Sequence, residues 1–284
     1  MNRLFPELNP EKFAESRDAL HGYSRILGSW TSVCRERRKH WWHASLRPSL
    51  TGISTGVIYS DRLDFELSLN FRDSLLIVNT AVGEEFRDRL IGQPISDLFA
   101  KIEKFLLASG LAEDVATAVT HAFAGDGQTR FPGYSPEEAN TMGRVLAAVS
   151  ASFAAFRNTI REETSPIQLW PHHFDLAMLW LPGEKVPDQD PHDEESADKQ
   201  MNFGFTFGDP GIPEPYFYVT AYPSPEAFAA LELPAGTEWH NEGFTGAVLK
   251  YRRLLQEADP SAYLLALWNT MLTAGRASLV AQAN

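Results

Sequence analysis

Arg62-Leu63-Asp64-Phe65-Glu66-Leu67-Ser68-Leu69-Asn70-Phe71-Arg72-Asp73-Ser74-Leu75-Leu76-Ile77-Val78-Asn79-Thr80 is the stretch that decides the fold class. Leu63, Phe65, Leu67, Leu69 and Phe71 alternate with polar residues, the period-two pattern of a strand with one buried face. Arg72-Asp73-Ser74 reads as a turn and Leu75–Thr80 as a second apolar run, so the stretch predicts an antiparallel hairpin. Upstream, Asn9-Pro10-Glu11 reads as an N-cap, a proline in the first helical turn and an acid near the positive helix end. Phe13, Leu20, Tyr23, Leu27, Trp30 and Cys34 follow at helical spacing and predict a helix to about Arg38. His40 to Thr55 reads as a further strand. Downstream, Ser96 opens a helix with Leu98, Phe99, Ile102, Phe105 and Leu106 on one face, ending at the C-cap signal Gly110.

The same order returns in the second half. Residues 111–134 are irregular, with a loop by composition at 125–133. Ser135-Pro136-Glu137-Glu138 is a capping box, followed by a stripe of Met142, Val145, Leu146, Val149, Phe153, Phe156 and Ile160. Strands are expected over 168–181, 200–207 and 216–222, then a helix capped by Asp259-Pro260, carrying Leu264, Leu267, Trp268, Met271 and Leu272 and ending near Gly275. The expectation is an α+β fold of two pseudo-symmetric halves, 1–134 and 135–284, each with helices packed on an antiparallel sheet, together forming one compact unit. Convergent α+β patterning would give the same order without duplication. The second half carries the extra residues: an acidic loop from Glu184 to Lys199 and the stretch from Pro223 to Ala247.

The chain has 37 Asp and Glu against 25 Lys and Arg, a formal net charge of −12. Such a balance argues against nucleic acid and against anionic membrane surfaces, both of which are bound through Lys and Arg. The N-terminus has no apolar signal region and no run is long enough for a membrane helix, so a cytoplasmic location is expected. With a single cysteine, Cys34, there is no internal disulfide and no multi-thiolate metal site. Cys34 lies on the apolar stripe of its helix and is read as an inert thiol, in spite of Arg35, Arg37 and Arg38. No serine nucleophile elbow, P-loop, dinucleotide glycine fingerprint or His-Glu-x-x-His motif occurs.

His40-Trp41-Trp42-His43, the run Ser165–Leu176 (SPIQLWPHHFDL) and the run Pro215–Pro223 (PYFYVTAYP) resemble a bacterial family classed as a domain of unknown function. The resemblance extends from the first helix to the last and implies no activity.

Two constellations could carry chemistry. His173-Phe174-Asp175, if on a strand, would point two ligands to one face. With His240, and with His43 as the symmetry counterpart of His173, they form a candidate site for a divalent metal, the histidine–carboxylate set of a metal-dependent enzyme. The bland alternative has His172 and His173 straddling a sheet, one buried and one at the surface. Trp41, Trp42, Trp170, Trp180, Tyr216, Tyr218, Tyr222 and Trp239 cluster on the same elements. As walls of a small-molecule pocket, Trp42, Trp170, His172, Tyr216 and Tyr218 would contact a ligand whose carboxylate Arg252 or Arg253 holds. The glycine in Asn202-Phe203-Gly204-Phe205 would let that ligand approach the backbone. As core, the same rings would simply fill the space between helices and sheet. The expected function is thus an enzyme acting on a small molecule, with a non-catalytic binding or structural protein as the alternative.

Overall fold

The computed structural model describes residues 5–123, 128–193, 195–224, 228 and 230–280. Part of the loop expected at 125–133, Glu194 of the acidic loop and part of the stretch 223–247 lie outside the described residues. The chain groups into two compact units, Met1–Ala147 with Gln168–Phe174, and Ala148–Ile167 with Asp175–Asn284. Both combine helices with an antiparallel sheet, so the fold class is α+β.

In the first unit, α1 (Pro10–Cys34) starts where Asn9 Oδ1 accepts the backbone N–H of Glu11 at 3.0 Å. Phe13, Leu20, Tyr23, Leu27 and Trp30 are fully buried along it. The helix stops at Cys34, short of the expected Arg38, because Arg35 turns extended and its guanidinium donates to the carbonyls of Ser45 (3.3 Å) and His43 (3.5 Å). The sheet is a sequential meander of β1 (Arg47–Pro48), β2 (Gly52–Ser54), β3 (Phe65–Asn70), β4 (Leu75–Thr80) and β5 (Glu85–Arg89). The expected hairpin is β3 and β4, in register from Asn70–Leu75 to Phe65–Thr80. Asn70 Oδ1 accepts the Asp73 N–H at 3.0 Å and shapes its turn.

The single strand expected over 40–55 is not formed. Its first residues make a 3₁₀ turn, Lys39–Ala44, in which His40 (φ 53°) and Trp41 (φ 58°) both adopt left-handed backbone that a strand cannot contain. α2 (Ile95–Ala108) ends as expected: the Leu111 N–H bonds to Leu106 O and the Gly110 N–H to Leu107 O, with Gly110 at φ 106°. The irregular region beyond contains α3 (Glu113–Ala122), a short helix with Ala116 and Val119 buried.

α4 (Pro136–Arg157) begins in the first unit and ends in the second. Ser135 Oγ accepts the Glu138 N–H at 3.3 Å, as the capping box predicts. The strand expected over 168–181 is interrupted. β7 (Gln168–Trp170) bridges to the first unit's Leu46 through Leu169, with backbone bonds of 2.8 and 2.9 Å. A turn at 171–174 follows, with Phe174 at φ 55°.

The second unit contains β6 (Glu163–Thr164), β8 (Asp175–Leu181), β9 (Gln200–Thr206), β10 (Tyr216–Tyr222), β11 (Glu238–His240) and β12 (Gly246–Lys250), ordered β11-β12-β10-β9-β8-β6. Within it β8, β9 and β10 are neighbours in sequence order, as strands are in the first sheet, while β11 lies outside β12 at one edge. α5 (Tyr251–Leu254) and α6 (Pro260–Leu279) close the chain, and Asp259 caps α6 by accepting the Ala262 N–H at 3.0 Å. One sheet face carries the core: Phe153 stacks on Trp268 at 4.5 Å, Phe156 lies 4.9 Å from Phe203, and Phe217 meets Trp268 edge-on at 6.1 Å. α6 does not end near Gly275. That glycine is a close-approach point, where a Cβ would lie 1.9 Å from Met201 Sδ.

Candidate functional site

The antiparallel registers fix what the second face of this sheet carries. Because Phe203, Phe205 and Phe217 point to the core, their neighbours Asn202, Gly204, Tyr216 and Tyr218 point the other way. Asp175 pairs with Thr206, Val248 with Tyr218, and His240 with Gly246, which places Asp175, Val248 and His240 on that same face. Ile212, Tyr216 and Val248 form a small buried cluster there, with the half-buried Tyr218 and Phe244 packed against it.

Two tyrosine–carboxylate pairs dominate this face. The Tyr218 hydroxyl donates to Asp175 Oδ2, and the Tyr216 hydroxyl donates to Asp209 Oδ2. The two tyrosine rings are 6.3 Å apart. Burial, then the charge and hydrogen bond of Asp175, hold the Tyr218 hydroxyl protonated well above its ordinary range, although the Asn202 side chain acts in the other direction. Burial and Asp209 act likewise on Tyr216. Burial pushes Asp209 up, but it is outweighed by the Tyr216 hydroxyl, the N–H groups of Ile212 and Gly211, and the charge of His240, so its carboxyl sits below the usual range. Neither tyrosine can therefore act as a base near neutral pH. Asn202 Oδ1 is buried with no hydrogen-bond partner among the described residues.

The space left by Gly204 is already filled. A Cβ there would lie 2.0 Å from Tyr218 Cζ, so the glycine admits the protein's own tyrosine rather than a ligand at the backbone. His240 bonds through Nε2 to the Glu242 carbonyl at 2.6 Å and packs 4.6 Å from the Phe244 ring. Arg252 lies elsewhere on the unit, its Nε 2.9 Å from Glu214 Oε2.

The remaining candidates belong to the first unit. Trp42 and His43 sit in the 3₁₀ turn, where His43 is buried and its Nδ1 accepts the Arg38 N–H at 3.2 Å. The Trp42 indole N–H is buried without a partner among the described residues. Gln168 Nε2 ties the turn down by donating to Ser45 Oγ at 2.7 Å. Trp170 meets His172 edge-on at 5.8 Å, and the His172 and His173 rings are 4.4 Å apart. Both histidines are exposed in the turn and do not straddle a sheet. Partial burial of the ring, then the charges of His173 and His21, pushes His172 down to about 4. His21, which the sequence did not single out, donates through Nε2 to the His172 carbonyl (3.2 Å) and stacks on Phe174 at 5.5 Å.

The premise that His173 and Asp175 share a strand face does not hold, because the left-handed Phe174 ends the turn between them and Asp175 opens β8. Among the described residues no group of three or more His, Cys, Asp or Glu side chains is arranged to hold a metal ion. Among the described residues, too, no helix is long and apolar enough to cross a membrane. The acidic loop is pinned at its base by Lys199–Glu184 (2.6 Å) and Lys185–Asp198 (2.8 Å).

Sequence reasoning missed Asp209, which reaches the site from a loop. The signal that could have found it is Asp209-x-Gly211-Ile212, an Asp whose Oδ1 accepts the N–H groups of Gly211 (2.7 Å) and Ile212 (2.9 Å).

No curated protein and no solved structure gives a significant match to the chain. A family model matches residues 5–280, nearly its whole length, and the chain belongs to that family, the family of unknown function DUF5996.

Proposed function

We propose that the chain is a small-molecule-binding protein without catalytic chemistry, and that its ligand contacts the sheet face of Tyr216, Tyr218, Asn202 and Phe244. The observation that carries this reading is the Tyr218–Asp175 hydrogen bond, with Asn202 Oδ1 on the same face buried and without a partner among the described residues. Each tyrosine is oriented by a carboxylate and stays protonated, so the face offers fixed polar groups between half-buried rings. That is the composition of a recognition surface, largely apolar with a few oriented polar groups. Neither tyrosine is the poised acid or base that proton transfer requires. Among the described residues no such geometry stands behind the metal-dependent alternative.

A thermal-shift screen of a metabolite collection tests the reading. A compound that raises the melting temperature of the wild type, and has lost that effect in both Tyr218→Phe and Asn202→Ala, supports it. A collection with no stabilising compound, or a stabilising compound equally effective on both variants, overturns it.

A further inference from the structure

Lys250, Arg252 and Arg253 bring three cationic side chains to one open pocket of about 360 Å³, completed by Gly236, Glu238 and Gln256. Three cations stand within four residues, each beside a carboxylate of Glu214, Glu238 or Glu257 that holds it in place. We infer that this pocket binds the oxyanion group, carboxylate or phosphate, of a small molecule.

The geometry gives each cation a part. Arg253 is held before any ligand arrives. Gly236, at φ 88°, leaves the notch its side chain fills: a Cβ there would lie 2.5 Å from Arg253 Nε. The Tyr263 ring lies 5.9 Å from the guanidinium on another side, and Arg253 Nη1 is 2.6 Å from Glu257 Oε1. Tyr263 is itself fixed, its hydroxyl donating to the Ala235 carbonyl at 2.5 Å. A guanidinium positioned in this way loses little freedom on binding and presents a planar fork that matches an oxyanion. Arg252 is anchored by Glu214 at 2.9 Å while 71% of its side chain remains exposed, so it can close over a bound group. Lys250 Nζ lies 3.5 Å from Glu214 and 3.6 Å from Glu238. Both separations are longer than the ~2.7–2.9 Å of a charge-assisted hydrogen bond, which leaves the ammonium with donors to give. Gln256 adds an amide. Glu238 on the wall, with Glu214 and Glu257 against the cations, moderates the field, which suits a small mono- or dianion better than a polyanion.

This inference does not depend on the Tyr218 face binding anything, and its test separates the two. Isothermal titration of the full chain in low-salt chloride buffer is run with inorganic phosphate and with succinate as probes. Saturable one-site binding of either probe is expected, and which of the two binds identifies the oxyanion. Arg252→Gln and Arg253→Gln should each weaken it about tenfold or more, the loss of a charge-assisted contact. Lys104→Gln, which removes an exposed charge from the other unit, should leave it intact. Because Arg252 is largely exposed, its variant keeps the fold, which circular dichroism checks. No saturable heat with either probe at millimolar concentration overturns the inference, and so does wild-type affinity in both arginine variants.

Discussion

The hydroxyl of Tyr218, on β10, crosses the glycine floor of β9 at Gly204 to donate to Asp175 on β8. The bond ties together strands that are not neighbours and reaches a carboxylate that is 7% exposed. Removing the hydroxyl takes one donor from a buried charge, which ordinarily costs about 1.5–3 kcal/mol. Tyr218→Phe should therefore lower the unfolding free energy by that amount, read as a lower urea midpoint at unchanged m-value. Asp175→Asn keeps an acceptor and should cost less. A Tyr218→Phe variant as stable as the wild type would remove the bond from any account of this face.

Glu162 and Arg276 form a two-pronged pair, Nε–Oε1 and Nη2–Oε2 both 2.7 Å. The Arg276 hydrogen bonds pull the Glu162 carboxyl down to about 2. An unfolded glutamate binds its proton near pH ~4.3. On acidification the unfolded chain is protonated first, so the stability from this pair is full above about pH 5 and fades between there and about pH 2. The pair is partly exposed, and its contribution should be on the order of 1 kcal/mol or less. The stability gap between wild type and Glu162→Gln should shrink from pH 6 to about pH 3.5. A gap that stays constant or widens over that range contradicts the assignment.

Cys34 has Arg35 beside it, whose charge favours a thiolate, yet burial wins and pushes the thiol up to about 11. At pH 8 about one thiol in a thousand would then be ionised, against roughly a quarter for a free cysteine. Labelling by a chromogenic disulfide reagent should be about a hundredfold slower in the folded chain than in urea. Equal rates would mean that the arginine dominates.

What the sequence could and could not reveal follows from where each signal resides. The β3–β4 hairpin was legible because Phe65, Leu67 and Leu69 bury one face at strict period two. The caps at Asn9, Ser135 and Asp259 were legible because the side-chain acceptor stands next to the donor it satisfies. The 3₁₀ turn was not, since nothing local marks His40 and Trp41 for left-handed backbone, a conformation that costs aromatic side chains energy and is imposed by surrounding structure. The same holds for Phe174, whose φ breaks the strand on which the His173–Asp175 pairing relied. α3 buries only Ala116 and Val119 and leaves almost no periodic trace. In the candidate site, the alternation of Tyr216 and Tyr218 was visible, whereas Asp209 meets Tyr216 through a chain reversal that no periodicity marks.

Gly275 sets two physical rules against each other. Inside an exposed helix, glycine to alanine is worth up to about 1 kcal/mol in favour of alanine. Read that way, Gly275→Ala in the middle of α6 should stabilise the protein. Its position on β9 says the opposite, because the added Cβ would fall 1.9 Å from Met201 Sδ and 3.0 Å from its Cε. Overpacking of this kind costs about 1–3 kcal/mol, and the flexible thioether can relieve part of it. A net loss is expected, read from the urea midpoint. In a Met201→Ala background the obstacle is gone, and Gly275→Ala should become neutral or stabilising, a coupling of the sort that neighbouring residues show. If Gly275→Ala stabilises the protein with Met201 in place, the helix does not rest on the sheet at this point.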